Sequence, residues 1–186
     1  MKTILESGAD AAADGAMRLA TVTANADLRD CDMIELSIGS LLRVVREQLK
    51  LEVVFIGEFV GASRVFRHIS SRSEQPVIRP GEFHGLDETI CQRIVDGRMP
   101  SLTPDVARVR AEHGLPLYYD ALGGHIGVPV RFSDGTLYGM LCGFSFEACP
   151  HLDERDVRRL EMAANATARL IAQAEGRNVE PLAASH

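Results

Sequence analysis

The chain has 186 residues, of which 46% are hydrophobic and 25% charged, with a net charge of −6. That length suits one domain with a sizeable core and two tails, and a negative chain without a Lys/Arg cluster excludes an electrostatic footprint for nucleic acid or an anionic membrane. No apolar run approaches the ~20 residues of a membrane span, and the opening MKTILESGADAAADG lacks the apolar core of a signal peptide, so the cytoplasm is the expected location.

Residues 1–30, rich in Ala, Asp and Thr, read as a tail or a short helix around 9–20. Ile34, Ile38, Leu41, Leu42, Val45 and Leu49 then recur at spacings of three and four, one apolar stripe on a helix of about 33–50. Asp32 is its expected N-cap, with Glu35 as capping-box partner. The period changes at Leu51. Residues 51–60 and 64–70 are rich in β-formers and predict two strands joined by Gly61-Ala62-Ser63, with Val77-Ile78 as a short edge strand. A helix is predicted over about 86–95, ended by Gly97 at C′. Thr103-Pro104-Asp105 predicts an N-cap, a proline at N1 and a first-turn acid for a short helix to about 111, and 112–122 is a loop.

Asp134-Gly135 between alternating apolar runs predicts a hairpin of 125–133 and 136–146. A two-residue loop would place Val130 opposite Gly139, Val128 opposite Leu141 and Ile126 opposite Gly143. The other face would pair Arg131 with Tyr138, Pro129 with Met140 and Gly127 with Cys142. Both faces are largely apolar, so both need cover, and a cavity under one cover is a natural place for a small ligand. Leu152-Asp153 opens a last helix to about 175, with Val157, Leu160, Ala164, Thr167, Ile171 and Ala174 close to a heptad seam. The expected organisation is a tail or short helix over 1–30, one α+β domain over 31–175 and a tail over 176–186. Its antiparallel sheet carries the terminal helices on one face and the middle segment, as a lid, on the other.

Four cysteines without CxxC or Cys/His spacing exclude a zinc site of ordinary pattern and predict free thiols. Phe66, Tyr138 and Phe144, with Phe55 and Phe146, supply apolar wall for core or ligand alike. Glu88 and Asp105 can bracket a pocket entrance and fix an amine or hydroxyl, or simply favour helix N-termini. Arg67 and Arg131 can hold an anion by bidentate contacts, or snorkel to the sheet edge.

Glu88-Thr89-Ile90-Cys91, Gly97-Arg98-Met99-Pro100, Pro104-Asp105, Gly127-Val128-Pro129-Val130, Asp134-Gly135, Tyr138-Gly139-Met140-Leu141-Cys142 and 152–156 together resemble the GAF domain family, over about 33–175. The likeness is strongest to the sensory modules of cyclic-di-GMP phosphodiesterases and related signalling enzymes. It implies strand order 2-1-5-4-3, a pocket between sheet and middle helices, a homodimer through the terminal helices and a signalling-enzyme partner. The implied function is a non-enzymatic sensor of a small molecule, with Phe66, Glu88, Cys91, Asp105, His125, Tyr138, Cys142 and Phe144 as ligand-binding candidates. A bilin-carrying relative has His after its attachment cysteine, whereas Gln92 follows Cys91, and a haem would take His84 or His125 as its axial imidazole. No cofactor is assigned. The alternatives are a structural dimerisation domain with a vestigial pocket, and an enzyme resembling the free methionine sulfoxide reductases, in which Cys91 and Cys142 would meet across the cavity.

Overall fold

The computed structural model describes residues 30–177, so the segment expected as a helix at 9–20 lies outside the described residues. The chain divides into units 1–36 and 37–186, and the architecture below is that of the second. Helix α1 spans 30–49 and buries Ile38, Leu42, Val45 and Leu49, the stripe that the spacing requires. Helical backbone has already begun at residue 30, which places Asp32 inside the helix instead of at its cap. At the other end, Lys50 N–H donates to Glu47 O (3.3 Å) and Leu51 N–H to Arg46 O (3.0 Å), the bond pair of a Schellman motif. Its C′ position needs a left-handed backbone, and Lys50 adopts φ of 54° there. Arg46 Nε–H bonds Ser70 Oγ (3.1 Å) and the His151 ring bonds Leu49 O (3.2 Å), tying the last turns of α1 to the rest of the unit.

Six antiparallel strands follow: β1 (Val53–Val60), β2 (Ser63–Ser71), β3 (Phe83–Gly85), β4 (Leu102–Thr103), β5 (His125–Arg131) and β6 (Leu137–Phe144), in the order β3-β2-β1-β6-β5-β4. Without the edge strand β3, this is the expected 2-1-5-4-3 renumbered. The edge strand is not Val77-Ile78. Pro76 and Pro80, which lack N–H groups, flank that pair, and the chain reaches β2 only where Gly81 N–H donates to Phe66 O (2.8 Å) and Phe66 N–H to Glu82 O (2.9 Å).

The β5–β6 register runs as expected from Ile126↔Gly143 to Val130↔Gly139, then shifts to Arg131↔Leu137. The loop therefore holds three residues, Ser133-Asp134-Gly135, instead of two. Gly135 alone takes positive φ (84°), and Asp134 Oδ1 instead accepts the Thr136 N–H (2.8 Å). This is the three-residue connection with a glycine bulge.

Helix α4 (Glu154–Ala174) starts at Asp153 with a full capping box to Asp156 and lies across β5 and β6. Val157, Leu160, Ala164, Thr167 and Ile171 are buried as predicted, joined by Ala163, Ala168 and Ala172, while Ala174 is exposed. The opposite face of the sheet is covered by a lid of short pieces: the turn Leu86–Glu88, α2 (Ile90–Val95), α3 (Val106–Val109) and the turn Leu117–Ala121. The predicted 86–95 helix is broken at Thr89, whose Oγ1 caps α2 by accepting Gln92 N–H (3.2 Å). Asp105, not Thr103, caps α3, because Thr103 is held in β4 and Asp105 Oδ1 accepts Arg108 N–H (3.2 Å). Gly97 sits at the C′ position of α2 with φ of 72°. Among the described residues, no helix is long and apolar enough to cross a membrane.

Lys50→Gly relieves the left-handed lysine and is expected to raise stability by about 0.5–1 kcal/mol in urea denaturation, net of the extra unfolded-state freedom of glycine. Loss of stability in that variant would show that the lysine side chain outweighs its backbone strain.

Candidate functional site

One extra residue in β2 decides which side chains reach the lid face. Ile56 pairs with His68 but Gly57 pairs with Phe66, so Arg67 has no opposite number and forms a bulge. The bulge switches parity, putting Ile69 and Phe66 on one face although they lie three apart. Arg64, two residues before Phe66, shares that face. Its stem lies over Gly57, where an added Cβ would come within 2.8 Å of Arg64 Cγ. A glycine inside a strand marks such an approach.

The Arg64 guanidinium is thereby buried, at 4% exposure, among aromatic rings. Its Cζ is 4.2 Å from the Phe66 ring centroid and 5.3 Å from that of Phe55. Nη2–H donates to His84 Nδ1 (2.9 Å) and Nη1–H to Cys91 Sγ (3.5 Å), while Nε has no partner. Among the described residues no carboxylate forms an ion pair with it. A guanidinium can only donate, so His84 accepts as a neutral ring, held below the usual histidine range by burial and by Arg64 itself.

Cys91 Sγ lies 3.5 Å from Cys142 Sγ, and both residues are fully buried. The hydrogen bond with Cys142, and then the charge of Arg64, pull the Cys91 thiol down to about 6 against the opposing effect of burial. Burial, and then Cys91, push Cys142 well up. His125, also buried, is held down to about 3 by burial and then by Arg64, and its Nδ1 has no partner. One guanidinium and two imidazoles thus lie in the wall of a cavity, with two cysteine sulfurs behind them.

The cavity has a volume of about 430 Å³. Phe55, Phe66 and Phe144 give it an aromatic floor, Tyr119 and Leu122 a side wall, and Val77, Tyr118 and Phe146 a mouth. Those three mouth residues are 60%, 48% and 47% exposed. Above it the lid is held by a second buried arginine of a different kind. Arg93 gives its N–H groups to four carbonyls: Asp87 (2.9 Å), Thr89 (3.0 Å), Gly114 (3.1 Å) and His113 (3.3 Å). Tyr119 Oη adds a bond from Ile90 N–H (3.3 Å).

Of the residues nominated from sequence, Phe66, His125 and Phe144 line this cavity, and Cys91 and Cys142 lie beside Arg64. Glu88 is exposed on the turn before α2 and off the cavity wall, Asp105 is occupied as a cap, and Tyr138 packs edge-on against Phe132 at the far end of the hairpin. Arg67 pairs with Glu58 and Arg131 with Gly135 O, so neither arginine considered for an anion reaches the cavity. Sequence reasoning missed Arg64, Tyr118 and Tyr119 in the wall, along with the apolar Val77, Ile78, Ala121 and Leu122. Alternation with Phe66 opposite a strand glycine is the signal that could have found Arg64. Among the described residues, no group of His, Cys, Asp and Glu could hold a metal ion.

Ionisation of Cys91 links this site to stability. Its folded value of about 6 lies below the ordinary 9.0, so its contribution is complete above pH 9 and is lost as pH falls through 6. The urea midpoint of the reduced protein is expected to rise between those pH values, and Cys91→Ser to flatten the rise. An equal rise in the variant would contradict a thiolate at Cys91.

A family model described as "GAF domain" matches residues 36–172. No curated protein matches the chain. Among solved structures, the chain is similar to a far-red cyanobacteriochrome photoreceptor, with a TM-score of 0.63 and 19% identity over 87% of this chain and 98% of that one. It is also similar to the GAF domain from Acinetobacter phosphoenolpyruvate-protein phosphotransferase (TM-score 0.59, 16% identity, 84% and 99% covered). A third is the type II free methionine-R-sulfoxide reductase from Thermoplasma acidophilum (TM-score 0.60, 15% identity, 77% and 96% covered). At these identities the likeness shows the fold.

Proposed function

Because the chain belongs to the GAF domain family, we propose that it is a regulatory sensing module of cytoplasmic signalling that takes a small molecule into the cavity between sheet and lid. The observation that carries this reading is the cavity itself: about 430 Å³ of aromatic-walled space, with Arg64, His84 and His125 in its wall and half-exposed side chains at its mouth. Volume and lining both fall in the range of small-molecule sites.

The strands supply a route outward. On β5, His125 faces the cavity while Ile126 and Val128 lie on the face packed by α4, so a ligand that shifts the strand also shifts that helix. Val44 on α1 and Met162 on α4 are 46% and 73% exposed and offer apolar contacts to a second copy of the chain. Ligand binding then biases the packing of paired terminal helices and, through them, a signalling-enzyme partner.

A metabolite panel in thermal denaturation tests the receptor. A ligand at a hundredfold excess over Kd stabilises by about 2.7 kcal/mol, or roughly 5–10 °C for a domain of this size. Light scattering is expected to show a dimer that Met162→Glu dissociates while the ligand shift persists. No shift with any compound, alongside an intact dimer, would leave a dimerisation domain without a receptor.

A second reading, a thiol-based reductase, is favoured by the 3.5 Å separation of Cys91 and Cys142. Turnover of free methionine sulfoxide by the reduced protein, abolished by Cys91→Ser, would establish it and displace the sensor.

A further inference from the structure

We propose that the cavity takes an organic monoanion, a compact apolar or aromatic body bearing one carboxylate, and that Arg64 binds the carboxylate. This rests on the reading of the cavity as a receptor site and names its ligand class.

The two buried arginines of the domain are the starting point. Arg93 spends its donors on four backbone carbonyls and is complete as a structural staple. Arg64 is as deeply buried, yet its named acceptors are one imidazole nitrogen and one sulfur. Two of the five N–H groups of a guanidinium are thereby met, and Nε–H has no acceptor. The Cys91 sulfur meets Nη1 alone, at 3.5 Å, and aromatic faces offset only part of the remaining cost of burying a cation with an unmet Nε–H. Arg64 is therefore the group in the cavity wall whose environment most improves when an anion enters. His125 Nδ1, buried and unpartnered, adds a second polar atom to the cavity wall.

The lining also limits what the anion can be. Arg64 is the one arginine or lysine among the wall residues, and Phe55, Phe66, Phe144 and Leu122 give nothing to a second charged group. A phosphate monoester carries about −1.5 to −2 charges and would leave part of that charge among rings. A carboxylate matches one guanidinium in charge and in planar geometry, and two parallel N–H···O bonds suit it. The remaining volume is wetted by aromatic faces, which favour a flat apolar body.

Isothermal titration of the full chain with 3-phenylpropionate and indole-3-acetate, each against its uncharged amide, tests the proposal. The acids are expected to bind about tenfold to a hundredfold tighter than the amides. Arg64→Met should erase that preference while amide binding survives, and Arg64→Lys should restore part of it. Arg67→Ala, at the bulge and paired on the surface with Glu58, should leave it unchanged. Equal binding of acids and amides to the wild type overturns the proposal and leaves the receptor reading standing, whereas binding of neither overturns both. Retention of the acid preference in Arg64→Met removes Arg64 from the role. Should Arg64→Met fail to fold, the wild-type ratio and the Arg64→Lys titration still decide between these outcomes.

Discussion

A guanidinium held among phenyl rings with no carboxylate beside it is the constraint around which this domain is built. Charge burial of that kind is normally offset by an acid or by a full set of hydrogen bonds. Arg64 has no carboxylate and an incomplete set of hydrogen bonds, and several features of the fold combine to put it there. The bulge at Arg67 sets the parity of β2, the missing side chain at Gly57 clears a path for the stem, and α2 brings Cys91 down onto Nη1. Cys142 then lies behind Cys91 on β6, so the nearest negative charge available from the chain is a thiolate, not a carboxylate.

The lid is fixed by different means. Short helices of six and four residues cannot hold themselves together in isolation, and their stability here comes from caps and from Arg93. By binding carbonyls of residues 87, 89, 113 and 114 at once, that side chain joins the turn before α2 to the loop after α3. Helices α2 and α3 pack on the sheet through Ile90, Cys91, Ile94 and Val106, and the cavity lies beside them, between the sheet and residues 77–78 and 118–122. The sheet is then shared by two layers, the cavity on one face and α4 on the other, so alternate residues of one strand touch both.

Much of the fold is legible in the sequence because alternation and turn chemistry act locally. The β5–β6 register follows from matching large residues against glycines, and only the loop length is misread: Asp-Gly fits the two-residue turn as well as the three-residue one, and the choice depends on where the bulge falls. Helix stripes and the C′ glycine of α2 are legible for the same reason. The site is less so. A bulge leaves no mark in composition, so Arg67 and Arg64 look equivalent on paper although one faces solvent and the other the cavity. Tyr138 is misassigned because a strand residue beyond the slip at Arg131 no longer keeps the expected neighbour, and it meets Phe132 instead. Tyr118 and Tyr119 come from a loop with no periodicity to place them.

The account stands or falls on an anion meeting Arg64 inside the cavity. A crystal structure grown with 4-bromophenylacetate tests this directly, since the bromine can be located by its anomalous scattering. The account predicts bromine between Phe66 and Phe144, with the carboxylate within hydrogen-bonding distance of the Arg64 guanidinium. Bromine found only on the outer surface, or inside with the carboxylate turned out through the mouth, would contradict it.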